Sequence, residues 1–166
     1  ITVYSDEACT QKVGTLITNA DGKAGYYLDP GTYWAKETGD EHGRFEDEYW
    51  MVDETVQKFE IKPHEDVSIT FTNVQYGRLK ITKTVEGGGS VEGWQFKITD
   101  AEGKVLDGSP FSTDEDGIIL TGNLLPGTYT VEELLPEDSL YECKGDNPKT
   151  VTITQGEVAE VAFVNA

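Results

Sequence analysis

The sequence has little sulfur, little positive charge and no long apolar run. It contains 2 cysteines and 1 methionine in 166 residues, so a disulfide-rich scaffold is excluded. Because Cys9 and Cys143 fall in different halves, we expect two free thiols. No apolar run approaches the roughly 20 residues of a transmembrane helix, so no membrane insertion is expected. No signal peptide or sorting motif is present, and residue 1 already lies in a strand pattern, which suggests a fragment of a longer protein.

Basic residues are too few for a polyanion-binding protein. The chain has 13 Lys and Arg against 31 Asp and Glu, a net charge of −18. Residues 1–75 carry 15 acidic and 6 basic residues, so each half contributes −9. Nucleic acid is excluded as a partner, because phosphate binding needs a basic face. Anionic membrane surfaces are disfavoured for the same reason.

A segment that occurs twice is the main positive feature of the sequence. Residues 31–37 read Gly-Thr-Tyr-Trp-Ala-Lys-Glu, and residues 127–133 read Gly-Thr-Tyr-Thr-Val-Glu-Glu. Each copy follows a proline and an Asp-Gly turn, and each precedes a strand pattern that ends in Asn73 or Asn165. The repeat divides the chain into two domains, 1–75 and 76–166.

Strand signals dominate both domains, since Val, Ile, Thr, Tyr and Phe recur with period two between Gly-rich turns. No segment has a 3.6-residue apolar period, so we predict an all-β chain of two tandem Ig-like sandwiches. The predicted strands are Ile1–Tyr4, Thr15–Thr18, Gly25–Leu28, Gly31–Thr38, Tyr49–Met51, Val56–Ile61, Val67–Asn73, Arg78–Val85, Gln95–Thr99, Ile118–Leu120, Gly127–Leu134, Lys149–Ile153 and Val158–Asn165.

The two halves differ at their start. The strand that begins at Gly77 has no counterpart in the first half, so we predict that the first domain lacks its N-terminal strand. Such a domain would have an unpaired sheet edge. A strand donated from elsewhere could fill it.

Three polar residues share the inward face of the second domain by strand alternation: Lys83, Glu133 and Asn165. A lysine among apolar neighbours gives up its proton more easily and becomes a nucleophile. A carboxyl among aromatic rings can stay protonated and pass a proton to departing ammonia. The predicted product is an isopeptide bond between the lysine and the asparagine, formed once and without a cofactor. Glu132 points outward and serves as the matched control.

The second half resembles the collagen-adhesin B-type (CnaB, prealbumin-like) domains of Gram-positive surface proteins and pili. The resemblance covers Gly77 to Asn165. It rests on Gly77-x-Leu-x-Ile-x-Lys83, Val91-Glu-Gly-Trp94-x-Phe96, Tyr129-x-Val131-x-Glu133-x-x-Pro136, Tyr141 and the terminal Phe163-Val-Asn165. The first half resembles the same family from Ile1 to Asn73, without the proline after its glutamate and without the first strand.

The resemblance implies that Lys83 bonds to Asn165 with the help of Glu133. It also implies equivalent roles for Glu37 and Asn73, whose partner lysine is absent from the chain. The expected function is that of a stalk or pilin module of a cell-wall-anchored surface adhesin, with neighbouring domains of the same protein as partners. No turnover enzyme and no metal or other cofactor is expected.

A second function remains open. Phe45, Tyr49 and Trp50 lie in the loop 39–53, where they could bind a host protein or glycan or could instead cover the core. The acidic segment Asp114–Gly117 is better explained as a hairpin turn than as a calcium loop.

Overall fold

The computed structural model describes residues 1–39 and 48–166, which form two compact units, Ile1–Val74 (unit 1) and Gln75–Ala166 (unit 2). Every regular element among the described residues is a β-strand, which confirms the all-β prediction. The strands are β1 (Thr2–Tyr4), β2 (Lys12–Thr15), β3 (Gly31–Lys36), β4 (Trp50–Met51), β5 (Gln57–Ile61), β6 (Val74–Gln75), β7 (Arg78–Val85), β8 (Gln95–Thr99), β9 (Phe111–Ser112), β10 (Ile118–Leu120), β11 (Gly127–Leu134), β12 (Lys149–Ile153) and β13 (Val158–Asn165).

Unit 2 is a sandwich of two sheets, with strand orders β10-β7-β13 and β12-β11-β8-β9. Strand β7 is the centre of the first sheet: it pairs antiparallel with β10 and parallel with β13. Alternate residues of these strands point into a continuous apolar core. The fully buried side chains of that core include Leu79, Ile81, Phe96, Ile98, Val131 and Phe163.

Unit 1 repeats one of these sheets. Its strand order, β2-β1-β3-β5, reproduces the order β9-β8-β11-β12 of unit 2. Local details repeat as well. The Asn19 side chain accepts hydrogen bonds from the backbone of residues 21 and 23, as Asp114 does from residues 116 and 118. The Tyr33 hydroxyl donates to the carbonyl of residue 29, as Tyr129 does to residue 125.

Two predicted strands of unit 1 are wrong: Gly25–Leu28 and Val67–Asn73 are irregular in the structure. By alignment of the repeats, Gly25–Leu28 begins where the counterpart of β10, residues 23–25, ends, and Val67–Asn73 corresponds to β13. In unit 2, β10 and β13 are the two strands that pair with β7. Within the described residues of unit 1 no strand takes the place of β7, so neither segment has a backbone ladder to join. Strand propensity without a partner does not produce a strand.

The other differences are smaller. Strand β2 lies at Lys12–Thr15 instead of Thr15–Thr18, and its register with β1 shifts at Tyr4. The short strands β6 and β9 were not predicted from the sequence. Both cysteines are free thiols, as expected. Among the described residues no helix is long and apolar enough to cross a membrane.

Candidate functional site

The candidate site lies in the core of unit 2, where β7, β11 and β13 each deliver one polar side chain. Lys83 is opposite Phe163 in the parallel β7–β13 register, and Asn165 lies two residues further along β13. Glu133 comes from the facing sheet, opposite Phe96 of β8. Strand alternation therefore aims all three side chains inward, as predicted. They are almost completely buried: Lys83 is 1% exposed, Glu133 3% and Asn165 0%.

One carboxylate oxygen links the three groups. The Nζ atom of Lys83 is 2.6 Å from Oε1 of Glu133. The side-chain amide of Asn165 donates a hydrogen bond of 3.2 Å to the same oxygen. The amine and the amide are thus both within hydrogen-bonding distance of a single proton acceptor. This arrangement brings the three predicted residues into one cluster, which we call the unit 2 triad.

Aromatic rings close one side of the triad. The Nζ atom of Lys83 lies 4.2 Å from the centroid of the Trp94 ring, and the Tyr141 ring packs edge-on against Trp94 at 5.4 Å. The ring face attracts the ammonium, but it provides no hydrogen-bond acceptor of the strength that water would. Oδ1 of Asn165 is buried, and no described residue donates a hydrogen bond to it. The triad is consequently dry and incompletely satisfied, which is costly for purely structural polar groups.

Two further residues fix the triad, and neither was predicted from the sequence. The side chain of Asn147 accepts a hydrogen bond of 2.8 Å from the backbone N–H of Glu133 and donates one of 2.9 Å to its carbonyl. Cys143 forms a β-bridge with Asn165. The pKa of its thiol is raised, first by burial and then by a hydrogen bond to the Glu133 carboxylate and by its charge. Asn147 positions Glu133, and the segment at residue 143 covers Asn165.

The neighbouring acid behaves as the control that the sequence predicted. Glu132 is on the opposite face of β11, where it forms an ion pair with Lys97 of β8. Both side chains of that pair are more than a third exposed. Adjacent glutamates on one strand thus have opposite environments, because successive side chains point to opposite faces of the sheet.

Unit 1 holds the matching acid and amide. The side-chain amide of Asn73 donates a hydrogen bond of 3.2 Å to Oε1 of Glu37, the same distance as in the unit 2 triad. Oε2 of Glu37 is buried without a hydrogen-bond partner among the described residues. Asn73 itself is exposed, in contrast to Asn165. Glu37 and Asn73, which we call the unit 1 pair, thus correspond to Glu133 and Asn165 of the unit 2 triad. They differ in having no described lysine beside them and in the exposure of the asparagine.

The described part of the loop 39–53 has an exposed apolar side. Tyr49 is 58% exposed and Met51 41%, while Trp50 is half-buried. Phe45 lies in 40–47, outside the described residues. Among the described residues no group of three or more His, Cys, Asp and Glu side chains could hold a metal ion.

The model of the SpaA prealbumin-like fold domain family matches residues 77–166, which is more than half of the chain. The chain belongs to the SpaA prealbumin-like family. The match covers the whole SpaA-type sandwich of unit 2 with all three triad residues, and it confirms the resemblance seen in the sequence. Among curated proteins no sequence matches significantly.

Several solved structures are similar to this SpaA-type chain. The Bacillus anthracis TIE protein is 25% identical, with 99% of this chain and 29% of that chain covered and a TM-score of 0.48. GBS52, the minor pilin of Streptococcus agalactiae, is 23% identical, with coverages of 89% and 65% and a TM-score of 0.47. BcpA, the major pilin subunit of Bacillus cereus, is 18% identical, with 82% and 38% covered and a TM-score of 0.45. The chain spans less than two thirds of each of these structures.

Proposed function

We propose that the chain is a structural module of a Gram-positive cell-surface protein, in which unit 2 closes itself with an isopeptide bond between Lys83 and Asn165. The observation that carries the proposal is the shared contact of the Lys83 amine and the Asn165 amide with one buried oxygen of Glu133. Two of the three groups are normally ionised, and all three could be replaced by apolar residues at little cost to stability. Their joint burial is explained by chemistry that they perform together.

The reaction needs only these three side chains. In the first step a proton passes from the Lys83 ammonium to the Glu133 carboxylate that it contacts, which leaves a neutral amine. The amine nitrogen attacks the side-chain carbonyl carbon of Asn165, and the new N–C bond forms as the bond to Nδ2 breaks. Nδ2 already contacts Oε1 of Glu133, which supplies a proton to it. The attacking nitrogen gives its second proton to the Glu133 carboxylate as the amide forms, so one ammonia leaves and Glu133 ends protonated.

The product would be a covalent tie between two adjacent strands. Strands β7 and β13 run parallel to each other. They are the first and the last long strand of unit 2. The bond closes a loop of about 80 residues, which by analogy with disulfides contributes about 4–5 kcal/mol. A pull on the two ends of unit 2 then acts on a covalent bond and not on backbone hydrogen bonds alone. This property suits a stalk or pilin module that holds other domains away from a cell wall.

The proposed reaction also determines whether the module is an enzyme and where in the cell it would act. Its only reactants are its own side chains, so the reaction occurs once and there is no turnover. The expected location is the cell wall surface or a pilus of a Gram-positive bacterium, with the neighbouring domains of the same protein as its partners. Membership of the SpaA prealbumin-like family supports this placement.

Peptide mapping tests the bond at the level of atoms. Trypsin would not cleave after an acylated Lys83, so a branched peptide should join the segments that contain Lys83 and Asn165. Its mass should be the sum of the two linear peptides less one ammonia. Recovery of both linear peptides, with no branched species, would exclude the bond.

A binding role for the loop 39–53 is the second candidate, favoured by the exposed Tyr49 and Met51. A host protein or glycan would contact this apolar side of the loop. Loss of binding to host-matrix arrays in a Y49A/M51A double variant, with the triad unchanged, would support the role.

A further inference from the structure

We propose that Thr113 is a positioning residue for the crosslinking reaction, and that it acts by holding the Trp94 ring against the Lys83 amine. The inference rests on the bond proposed for unit 2 and names a residue that sets the rate at which this bond forms. Three observations carry it: the contact of the ring with the amine, the hydrogen bonds between Thr113 and the Trp94 backbone, and the packing of the same segment against the main chain of Lys83.

The Trp94 ring limits where the nucleophile can lie. Nζ of Lys83 is 4.2 Å from the centroid of this ring and 2.6 Å from Oε1 of Glu133. A lysine side chain is long and flexible, so its nitrogen stays beside the asparagine only if its surroundings exclude other rotamers. The ring occupies the same space whether the nitrogen is an ammonium or a neutral amine. It can therefore confine the nitrogen before and after the proton is transferred.

Packing alone does not fix the ring. Trp94 is half-buried, and together with Tyr141 it lines a surface cleft of about 310 Å³. A ring beside open space can change rotamer more easily than a ring enclosed in a close-packed core. The place of the indole over Lys83 therefore depends on hydrogen bonds. One of them is made by the indole Nε1–H, which donates to the carbonyl of Ser90 at 2.9 Å.

Thr113 binds both backbone groups of Trp94. Its hydroxyl accepts a hydrogen bond of 3.0 Å from the N–H of Trp94 and donates one of 2.6 Å to the carbonyl of Val91. Its own N–H donates to the Trp94 carbonyl at 3.0 Å. Thr113 is only 4% exposed, so water has little access to replace these bonds. One buried hydroxyl thus ties the start of the segment 91–94 to its end.

The same segment packs against the main chain of Lys83. The N–H of Lys83 donates to the carbonyl of Gly117 at 2.7 Å. A Cβ atom on Gly117 would lie 2.5 Å from the Lys83 carbonyl oxygen and 2.9 Å from Cβ of Val91, and the φ angle of Gly117 is +74°. Only glycine fits this approach. The Trp94 ring is consequently positioned relative to the backbone of the lysine whose amine it contacts.

Thr121 is a matched control elsewhere in the same sandwich. It is 3% exposed, its hydroxyl accepts from the N–H of Leu79 and donates to the carbonyl of Gly122, both at 3.0 Å, and its N–H donates to the Leu79 carbonyl at 2.9 Å. The two threonines thus make the same set of buried hydrogen bonds. Those of Thr121 fix Leu79, whereas those of Thr113 fix Trp94.

The crosslinking rate of the full 166-residue chain tests the role. The chain is made by cell-free translation, samples are quenched in denaturant over time, and intact mass gives the fraction that is lighter by one ammonia. T113V keeps the shape of the side chain but removes the hydroxyl, and it should slow crosslinking roughly 10- to 100-fold, as expected for a misplaced reacting group. T113S keeps the hydroxyl and should react within about threefold of the wild-type rate.

The control separates this effect from lost stability. In an E133A background, where no bond forms, T113V and T121V should lower the Tm by similar amounts, because each leaves the same backbone groups unpaired. With Glu133 present, T121V should crosslink within about threefold of the wild-type rate. Equal slowing by T113V and T121V would overturn the positioning role.

A double-variant cycle tests whether Thr113 acts through the ring. W94L removes the ring and should slow crosslinking as T113V does, while W94F keeps a ring and should react faster than W94L. T113V/W94L should be no slower than W94L alone, since a residue that acts only through Trp94 has no further effect once the ring is gone.

The outcomes distinguish this inference from the proposal for unit 2. A T113V/W94L rate reduced by the product of the two single effects would overturn the action through the ring. A W94L rate equal to that of wild type would overturn it too, and this comparison decides the matter if T113V does not fold. In both cases ammonia loss from wild type would leave the unit 2 bond in place. No ammonia loss from wild type would overturn both proposals.

Discussion

Glu133 is the residue on which the account depends most, because it contacts both reacting groups. Replacing it with alanine should leave Lys83 and Asn165 unlinked, since no described group remains to exchange protons with either. The E133A chain should keep its full sequence mass. It should also lose about 4 kcal/mol of unit 2 stability, equivalent to a fall in Tm of roughly 15–30 °C, measured by calorimetry.

The matched control is the neighbouring acid on the opposite face of β11. E132A removes only a solvent-exposed ion pair with Lys97, which contributes at most about 1 kcal/mol. Its mass should equal that of wild type and its Tm should change by a few degrees. An E133A chain that still loses ammonia would show that the carboxylate is not needed for the reaction.

Asn147 acts on the reaction only through Glu133. N147A removes both hydrogen bonds to the Glu133 backbone, so the carboxylate should be held less well and the bond should form more slowly. A measurable fraction of uncrosslinked chain should appear after a short induction, while wild type is fully crosslinked. Given enough time, N147A should reach the same final mass; a permanent failure to crosslink would contradict a positioning role.

The sequence predicted the three triad residues but not Asn147 and Cys143, which contact them. Lys83, Glu133 and Asn165 lie on regular strands, where period-two alternation determines which side chains share a face. Asn147 and Cys143 lie in the irregular stretch 135–148, where no periodicity relates a residue to the core. Their roles become visible only when the backbone is folded.

At the level of elements, a strand forms where a neighbour exists to pair with it. All six strands predicted for unit 2 have their observed bounds, because each has a partner along its length. In unit 1 the predicted strands 25–28 and 67–73 also contain strand-forming residues, yet they remain irregular. Their local propensity favours a strand, but no strand among the described residues of unit 1 pairs with them.

Asp53 binds the segment 67–73 at two places: its carboxylate accepts from the N–H of Thr72, and its N–H donates to Oδ1 of Asn73. Hydrogen bonds from the Thr55 side chain and backbone and from the Thr72 backbone lower the pKa of its carboxyl below the ordinary 3.8. The stabilisation it gives is therefore present above pH 3.8 and is lost as the pH falls through the lower value of the folded state. The protection factors of the amides of 67–73, which are corrected for intrinsic exchange, should fall below that pH, and D53A should show low protection factors at pH 6.

The control for this tether is E60Q, an exposed acid of the adjacent β5 with no bond to the segment. It should leave amide exchange of 67–73 unchanged. Equal protection of the segment in D53A and wild type at pH 6 would mean that other contacts hold it.

At the scale of the whole molecule, stability should fall in alkaline solution. Burial raises the pKa of the Cys143 thiol above 9.0 and that of the Tyr129 hydroxyl above 10.0, the latter also through the charges of Asp100 and Glu102. The unfolded chain then releases these protons at lower pH than the folded chain, so the free energy of unfolding decreases as the pH rises above about 9. Urea unfolding from pH 7 to 10.5 should show this decrease.

Removing the thiol isolates its part of the effect. In C143A the decrease that begins near pH 9 should be reduced, and the decrease near pH 10 should remain. A free energy of unfolding that is constant or rises across this range would contradict the burial of both groups.

The mass of the intact, denatured wild-type chain tests the central claim most directly. Denaturation removes every non-covalent contact, so any difference from the sequence mass must be covalent. The mass should be lower than that of the sequence by one ammonia, from the bond between Lys83 and Asn165, with Glu37 and Asn73 unreacted. A chain with the full sequence mass would contradict it.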